Sequence, residues 1–239
     1  MDVAGLIREA ILDALALVLP VACAGCGADG RDLCDGCRLR LRAAESVRTR
    51  APGGIPVWAG GAYADLVQRV VLAAKDGRTG LATPLAELLL AAVELAEVPD
   101  AVEACAVPST RAALRRRGYD PVRVVLARAG IRHARVLLPA RPHRTQKGLA
   151  RDDRAANLQG VHRARGRLDG RTFLLVDDVV TTGATIAEAA RAIREAGGEV
   201  VGAVAIAATP LRSARPRGGS RTARRSADAA HIQPSAKSG

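Results

Sequence analysis

The chain has 239 residues, of which 49% are hydrophobic, and its formal net charge is +12. This length suffices for one domain of roughly 100–200 residues plus appendages. No apolar run reaches the ~20 residues that cross a bilayer, which argues against a membrane protein and makes a cytoplasmic protein the expectation. With few aromatic residues, any binding of single-stranded DNA would be mainly electrostatic rather than based on base stacking. The chain has four of them: Trp58, Tyr63, Tyr119 and Phe173.

The N-terminal residues 1–19 are predicted to form an amphipathic helix. Apolar residues between Val3 and Val18 recur at the i, i+3, i+4 spacing of a buried helix face. The acidic residues Asp2 and Glu9 argue against a secretory signal sequence. The helix is therefore expected to pack on the rest of the protein.

Most of the cysteines form a cluster within CAGCGADGRDLCDGC. The cluster consists of Cys23, Cys26, Cys34 and Cys37. Two CxxC loops can hold one tetrahedral ion with four thiolates, so we predict a zinc ribbon over residues 20–40 with a structural Zn²⁺. The alternatives are a redox pair or two disulfides, and a cytosolic location disfavours structural disulfides. The fifth cysteine, Cys105, is expected in the core.

The positive charge is concentrated in two segments. Residues 111–154 contain 13 Lys or Arg against 3 acidic residues, and residues 211–239 contain 7 against 1. Two separate segments suggest two separate reasons for the charge. The second segment lacks apolar periodicity and is predicted to be a disordered basic tail.

The middle of the chain reads as an α/β domain. The Pro and Gly residues of RTRAPGGIP, residues 48–56, predict a linker. Beyond it, helical patterns over residues 65–75 and from Pro84 are followed by short apolar runs that alternate with helices. This alternation predicts a parallel sheet with helices on both faces. We therefore predict three parts: helix and zinc ribbon over 1–50, the α/β domain over 51–210 and the tail over 211–239.

The stretch FLLVDDVVTTGAT places two carboxylates, Asp177 and Asp178, at the end of an apolar strand. The carboxyl edge of a parallel sheet is where α/β proteins bind ligands. The following turn, residues 181–185, is small and rich in hydroxyl groups, and it leads into a helix whose first amides can hold a phosphate. The unit thus suits a sugar phosphate.

This stretch resembles the signature of the phosphoribosyltransferases, which bind 5-phosphoribosyl 1-pyrophosphate (PRPP). The resemblance implies a type I phosphoribosyltransferase-like fold and Mg²⁺ bound together with PRPP. It also implies that Asp177 and Asp178 contact the ribose hydroxyls. The residues implied in 5′-phosphate binding are Thr181, Thr182, Gly183, Ala184 and Thr185.

The family resemblance also locates the groups for the pyrophosphate. The turn with Ser109 and Thr110 falls at the family's pyrophosphate loop, and RTQKGLARDDRAAN, residues 144–157, falls at its flexible catalytic loop. Candidate cations are Arg117, Lys75, Arg144, Lys147 and Arg151. Of these, Arg144 and Lys147 join the two aspartates as candidate catalytic residues, and each cation could instead be a solvated surface charge. Lys75 could equally complement the C-terminal end of a helix.

The motif order resembles the ComF family of competence-associated, phosphoribosyltransferase-like proteins. The motifs are the CxxC pairs, Lys75-Asp76-Gly77, RRRGYDPVRVVLA, RTQKGLARDDRAANLQG and LLVDDVVTTGAT. The resemblance implies either an enzyme that transfers a phosphoribosyl group to an acceptor or a non-catalytic accessory of DNA uptake. The accessory would bind PRPP or a nucleotide, single-stranded DNA, and competence or recombination proteins. A transcriptional regulator is a third possibility, without a visible helix-turn-helix.

The histidines show no ligand spacing and are predicted to lie on the surface. They are His133, His143, His162 and His231.

Overall fold

The structure is a computed structural model that describes residues 21–99, 101–140 and 160–209. Several predictions made from the sequence lie outside these described residues. They are the N-terminal helix over 1–19, the roles of Arg144, Lys147 and Arg151, the placement of His143 and His231, and the tail over 211–239.

The described residues contain eight strands and six α-helices. The strands are β1 (Val47–Ala51), β2 (Ile55–Ala59), β3 (Glu103–Ala106), β4 (His133–Ala134), β5 (Leu137–Pro139), β6 (His162–Ala164), β7 (Thr172–Val180) and β8 (Glu199–Ala208). The helices are α1 (Asp35–Arg42), α2 (Asp65–Lys75), α3 (Ala82–Ala96), α4 (Arg111–Arg117), α5 (Pro121–Arg128) and α6 (Ala184–Glu195). Short 3-10 turns cover Pro52–Gly54 and Thr79–Leu81.

The main sheet has six strands in the order β1-β2-β8-β7-β3-β4. All neighbouring strands are parallel except β1 and β2, which are antiparallel. The predicted parallel sheet is therefore confirmed, with one antiparallel edge strand. The apolar run ARVLLP, residues 134–139, is divided between two sheets: β4 joins the main sheet, whereas β5 pairs with β6 in a separate antiparallel pair.

Alternating side chains of β7 supply two cores, one on each face of the sheet. Leu174 and Val176 pack with α2, α3 and α5. Phe173 and Leu175 pack with α6 and the β1–β2 hairpin. Each of these buried side chains stabilises the fold by about 1.5–3 kcal/mol, so β7 is held from both faces. The prediction of helices on both faces is confirmed, and Cys105 is fully buried, as expected.

The predicted linker over residues 48–56 is wrong. These residues form β1, the turn Pro52–Gly54 and the start of β2, and the hairpin has a continuous register from Val47–Ala59 to Ala51–Ile55. The Pro and Gly residues mark a tight turn within a hairpin, where Gly53 and Gly54 adopt positive φ angles. The predicted domain boundary after residue 50 consequently falls inside a strand of the main sheet.

The segment Thr79–Ala96, which contains α3, is the one described helix that is long and apolar enough to cross a membrane by length and composition. Its side chains Leu81, Leu85 and Leu89 are buried in the core beneath the sheet. Its hydrophobicity is therefore accounted for by packing within the α/β fold.

The prediction of surface histidines is wrong for His162, which is only 5% exposed. The residue lies on β6, which packs against α6. There Glu188 accepts a hydrogen bond from the His162 backbone N–H at 3.3 Å, and Arg191 donates one to its carbonyl at 3.2 Å. Burial lowers the pKa of His162, so the ring is neutral at pH 7. His133 is half-buried.

Candidate functional site

The acidic pair lies where β7 extends beyond β3. Strand β3 pairs with β7 up to Val176, whereas β8 accompanies β7 as far as Val180. Among the described residues, the β3 side of β7 therefore has no strand partner from Asp177 onward. The two carboxylates lie at this open edge, and the strand that was predicted to end at them continues to Val180.

Asp178 forms an ion pair with the end of helix α2. Its Oδ2 lies 2.9 Å from the Nζ of Lys75, the last residue of that helix, and the two side chains are 17% and 20% exposed. From the sequence, two roles were open for Lys75: contact with a ligand, or a charge that complements the end of a helix. The structure brings it directly to the acidic pair.

Asp177 is a half-buried carboxyl group with an unusual pKa. Burial and the adjacent Asp178 carboxylate raise the pKa of Asp177 to about 7, against a usual value of 3.8. The backbone N–H of Asp178 donates to its Oδ1 at 2.8 Å, which offsets only part of this effect. Carboxyl groups whose pKa is strongly shifted by burial and a like charge are candidates for functional sites, because active sites use these two effects to tune pKa values.

The turn after β7 is open to a ligand. Thr181 and Thr182 are exposed, while Gly183 is buried beneath them. The Thr182 Oγ1 accepts from the Ala184 N–H at 3.4 Å, at the first residue of α6. Because the first N–H groups of a helix have no intrahelical acceptor and carry the positive end of its dipole, this turn suits an anion.

Gly183 allows the turn to lie directly on the β1–β2 hairpin. Its φ angle is 73°, and a Cβ built on it would lie 2.6 Å from the Ala51 Cβ and 3.1 Å from Pro52 Cδ. Any side chain here would meet both a strained backbone angle and the hairpin. The hairpin that the sequence suggested as a linker therefore supports the turn.

We expect Gly183→Ala to lower the free energy of unfolding by about 1–3 kcal/mol more than a matched glycine substitution does. The matched variant is Gly170→Ala, since Gly170 has a φ angle of 71° but open space around it. Urea denaturation of the two variants separates the clash from the strain of the angle. Equal losses in both would show that the contact with the hairpin is unimportant.

The loop after β3 lies beside the acidic pair. The register pairs Ala106 with Val176, and the Val107 N–H donates to the Val176 carbonyl at 2.8 Å, so the loop begins next to the position of Asp177. Ser109 is half-buried in this loop. The Thr110 hydroxyl caps α4 by accepting from the Ala113 N–H at 3.2 Å.

The connection between α4 and α5 contacts the end of α2. Arg117, the last residue of α4, is half-buried, and the structure shows no ion pair for it among the described residues. Two residues on, the Tyr119 hydroxyl donates a hydrogen bond to the carbonyl of Ala74, the neighbour of Lys75. The RRRGYD motif thereby reaches the same side of the site as Lys75.

The four clustered cysteines form a compact group of sulfur atoms. Their Sγ atoms all lie within 4.8 Å of one another, and those of Cys26 and Cys34 are 3.6 Å apart. Zn–S bonds of about 2.3 Å in a tetrahedron place the sulfurs about 3.8 Å apart, so the cluster has the dimensions of a closed zinc site. None of the four is disulfide-bonded, as the zinc interpretation requires.

Amide groups around the cluster favour the thiolate of Cys23. Burial opposes ionisation of Cys23, yet backbone N–H donors, chiefly that of Cys34, outweigh it and lower the pKa of Cys23 to about 6. Burial and the neighbouring thiols raise the pKa of Cys37 to about 12. The donor set suits a metal ion, since a bound cation would keep all four sulfurs ionised.

The four-cysteine ribbon, defined here as residues 21–42, is fixed to α2 and the turn after it. Arg78 donates from Nε to Asp32 Oδ1 at 2.8 Å and from one Nη to the Ala22 carbonyl at 2.5 Å. Arg69 on α2 donates to the Gly25 carbonyl at 3.0 Å. The sequence did not predict these roles of Arg69 and Arg78. The one signal in the sequence that could have pointed to Arg78 was its position directly after the motif Lys75-Asp76-Gly77.

A separate cleft of about 690 Å³ lies at the opposite end of α6, lined by β6, the last turn of the helix, and Gly166, Arg167 and Asp169. Carbonyl groups rather than free N–H groups face outward at this end of a helix. The cleft also lacks the acidic pair. It is therefore distinct from the candidate site.

An acidic strand edge, a nearby lysine and an anion-binding turn on a mostly parallel sheet together define a protein suited to a phosphorylated sugar. Comparison with family models agrees with this class. The model of the phosphoribosyl transferase domain matches residues 113–238, more than half of the chain, and the chain belongs to that family. No curated protein matches the chain at a significant level.

Proposed function

We propose that the protein binds PRPP with Mg²⁺ at the open edge of β7 and transfers its 5-phosphoribosyl group to an acceptor, which we take to be nitrogenous. The observation that supports this most strongly is the close succession of an ionisable pair, Asp177 and Asp178, and an exposed helix-entry turn. Membership of the phosphoribosyl transferase family supports PRPP as the ligand.

The two aspartates receive the ribose in this proposal. Their carboxylates accept hydrogen bonds from the 2′- and 3′-hydroxyls. Because Lys75 contacts only Oδ2 of Asp178, the other oxygen remains available as an acceptor. Burial and the Asp178 charge raise the pKa of Asp177, so hydroxyl donors or a cation would stabilise its anion.

The turn receives the 5′-phosphate. Exposed Thr181 and Thr182 offer hydroxyl donors, and the amides of Gly183, Ala184 and Thr185 lie at the positive end of α6. The buried contact of Gly183 with the hairpin fixes the turn before the ligand arrives. Such a preformed turn lowers the entropy cost of binding.

In this proposal the pyrophosphate binds on the side of the acidic pair that faces the loop after β3. Ser109, the backbone at Thr110 and the side chain of Arg117 are the described candidates for its contacts, and Arg144 and Lys147 are candidates outside the described residues. Mg²⁺ fits here because carboxylate, phosphate and water oxygens are the ligands it prefers. When bound, it neutralises charge on the departing pyrophosphate.

The transfer breaks the bond between the ribose C1 and a pyrophosphate oxygen, and an acceptor nitrogen forms the new bond to C1. This chemistry needs no nucleophile from the protein. The protein's contribution is the positioning of PRPP and acceptor and the electrostatic stabilisation of the leaving group.

The four-cysteine ribbon holds a structural Zn²⁺ in this account. Its dimensions, amide donors and lack of disulfides support the assignment. Free clustered thiols also support a cytoplasmic location, where the reducing environment preserves them.

A ComF-like accessory role in DNA uptake is the second candidate. The four-cysteine ribbon next to a phosphoribosyltransferase fold favours it, as does the row of exposed arginines on α4, namely Arg111, Arg115 and Arg116. Such a surface would attract the phosphates of single-stranded DNA. Competence or recombination proteins would then be the partners, and PRPP or a nucleotide would be sensed rather than consumed.

Release of pyrophosphate distinguishes the two candidates. We expect the wild-type protein to release pyrophosphate from PRPP and Mg²⁺ only when a suitable acceptor is present, which a panel of nucleobases and other nitrogenous compounds tests. Omission of Mg²⁺ is the control. Tight binding of PRPP without turnover across the panel would favour the accessory role, and absence of binding would overturn both.

A further inference from the structure

We propose that Arg78 is a positioning residue through which the four-cysteine ribbon holds Lys75 against Asp178. The ribbon thereby supports PRPP binding at the far end of helix α2. This inference rests on the proposed function, because it assigns a further residue, Arg78, to the support of the same site. It also gives the ribbon a role beyond local stabilisation.

Hydrogen bonds bind the Arg78 side chain to the ribbon. Its guanidinium makes three hydrogen bonds, to the carboxylate and the carbonyl of Asp32 and to the carbonyl of Ala22. The Asp32 carbonyl also accepts from the Ala24 N–H at 2.9 Å, next to Cys23. Arg78 is therefore bonded to the backbone that shapes the cysteine cluster.

Backbone hydrogen bonds connect Arg78 to the helix turn that contains Lys75. The Arg78 N–H donates to the Ala73 carbonyl at 3.2 Å, and the Gly77 N–H donates to the Ala74 carbonyl at 3.4 Å. These bonds close the last turn of α2, where helix carbonyls otherwise lack donors. Lys75 lies in this closed turn, so the anchorage of Arg78 limits where the lysine can reach.

The ribbon also contacts the first half of α2. A Cβ on Gly25 would lie 2.6 Å from both the Leu66 Cδ1 and the Cys37 Sγ. Arg69 bonds the Gly25 carbonyl as well. The cysteine loops thus touch α2 at its start, and Arg78 ties the turn after its end to the ribbon, so α2 is held at both ends.

Release of this hold would act directly on the acidic pair. If the end of α2 frays, Lys75 leaves Asp178, and the acidic pair loses the cation that the described residues place against it. Since the Lys75–Asp178 pair is largely shielded from water, its loss matters more than that of a surface ion pair. The ribose pocket would lose both its geometry and its charge balance.

The test compares Arg78→Met with Arg42→Met in metal-loaded protein. Arg42 also joins the ribbon to the main domain, through two 2.8 Å hydrogen bonds to Glu87 on α3. These bonds do not involve α2, the helix that carries Lys75. We expect Arg78→Met to raise the Kd for PRPP with Mg²⁺ about tenfold, while zinc content stays at one ion per chain. Arg42→Met should leave the Kd within about twofold of wild type.

Two further readouts separate positioning from general damage. Adding Arg78→Met to Lys75→Met should raise the Kd no further, because the arginine acts through the lysine. Hydrogen exchange at residues 72–78 should be faster in Arg78→Met and unchanged in Arg42→Met. If Arg78→Met folds poorly, Asp32→Asn removes the ribbon's carboxylate instead and should change exchange and affinity in the same direction.

Equal affinity and equal exchange in the Arg78→Met and Arg42→Met proteins would overturn the inference, and so would additive effects of the Arg78 and Lys75 substitutions. A wild-type protein that does not bind PRPP would overturn the proposed function instead. The exchange comparison needs no ligand, so it still decides whether Arg78 holds the end of α2.

Discussion

Removal of metal from the four-cysteine cluster should lower the melting temperature by at least about 10 °C. The cluster is part of the main core rather than an appendage, since Cys23 and Cys37 are buried with Leu41 and Leu66. Without an ion, four thiol groups confined within 4.8 Å would have no common partner. The ribbon would then open, and the apolar face of α2 would be exposed to water.

Scanning calorimetry with and without a strong chelator measures this effect. Cys34→Ser should melt at a lower temperature than wild type and respond little to the chelator. Cys105→Ala is the matched control, because this buried cysteine lies on the other face of the sheet and its variant should keep the full chelator response. A wild-type melting temperature that is indifferent to the chelator would rule out a structural metal.

PRPP affinity should increase as the pH rises towards 7. In the proposed complex the ribose hydroxyls would donate to an ionised Asp177, whose pKa is raised to about 7 in the free protein. Below that value, binding has to be accompanied by loss of the proton, so the Kd should fall about tenfold for each unit of rising pH and level off above pH 7. Titration calorimetry between pH 5 and about 8.5 measures the profile.

The Asp177→Asn variant separates the carboxyl group from the ligand's own ionisation. A phosphate group also titrates, near pH 6, and that part of the profile should remain in the variant, whereas the part due to Asp177 should disappear. Identical profiles for the two proteins would contradict the role of Asp177.

Ionisation of Asp177, which should strengthen PRPP binding, should lower the stability of the folded protein. Its folded pKa of about 7 lies above the usual value of 3.8, so between these values the folded protein holds a proton that the unfolded chain has lost. The free energy of unfolding therefore falls as the pH rises through this window. Urea denaturation at low and high pH should show this loss in wild type and a smaller one in Asp177→Asn.

The parts of the site that the sequence predicted are encoded locally. The aspartates, the threonine turn and the start of α6 are consecutive, and their order fixes their relative placement once β7 is recognised as a strand. The cysteine cluster is also encoded locally, because only a short segment separates the two CxxC loops and keeps them close together. Helix α2 was predicted over residues 65–75 from its apolar spacing, and it spans Asp65–Lys75.

The parts that the sequence did not predict depend on contacts between distant segments. Lys75 meets Asp178, and Arg78 meets Asp32 across 46 positions of chain; no local pattern encodes either pair. Residues 48–56 were misread because Pro and Gly mark hairpin turns as well as linkers. His162 was misread because only the packing of β6 on α6 buries it.

The most direct measurement is the affinity for PRPP with Mg²⁺ of wild type beside an Asp177→Asn, Asp178→Asn double variant, with Asp169→Asn as an exposed control at the other end of the sheet. The proposed site predicts that the double variant binds at least about 100-fold more weakly and that Asp169→Asn binds like wild type. Equal affinities in all three proteins would contradict it.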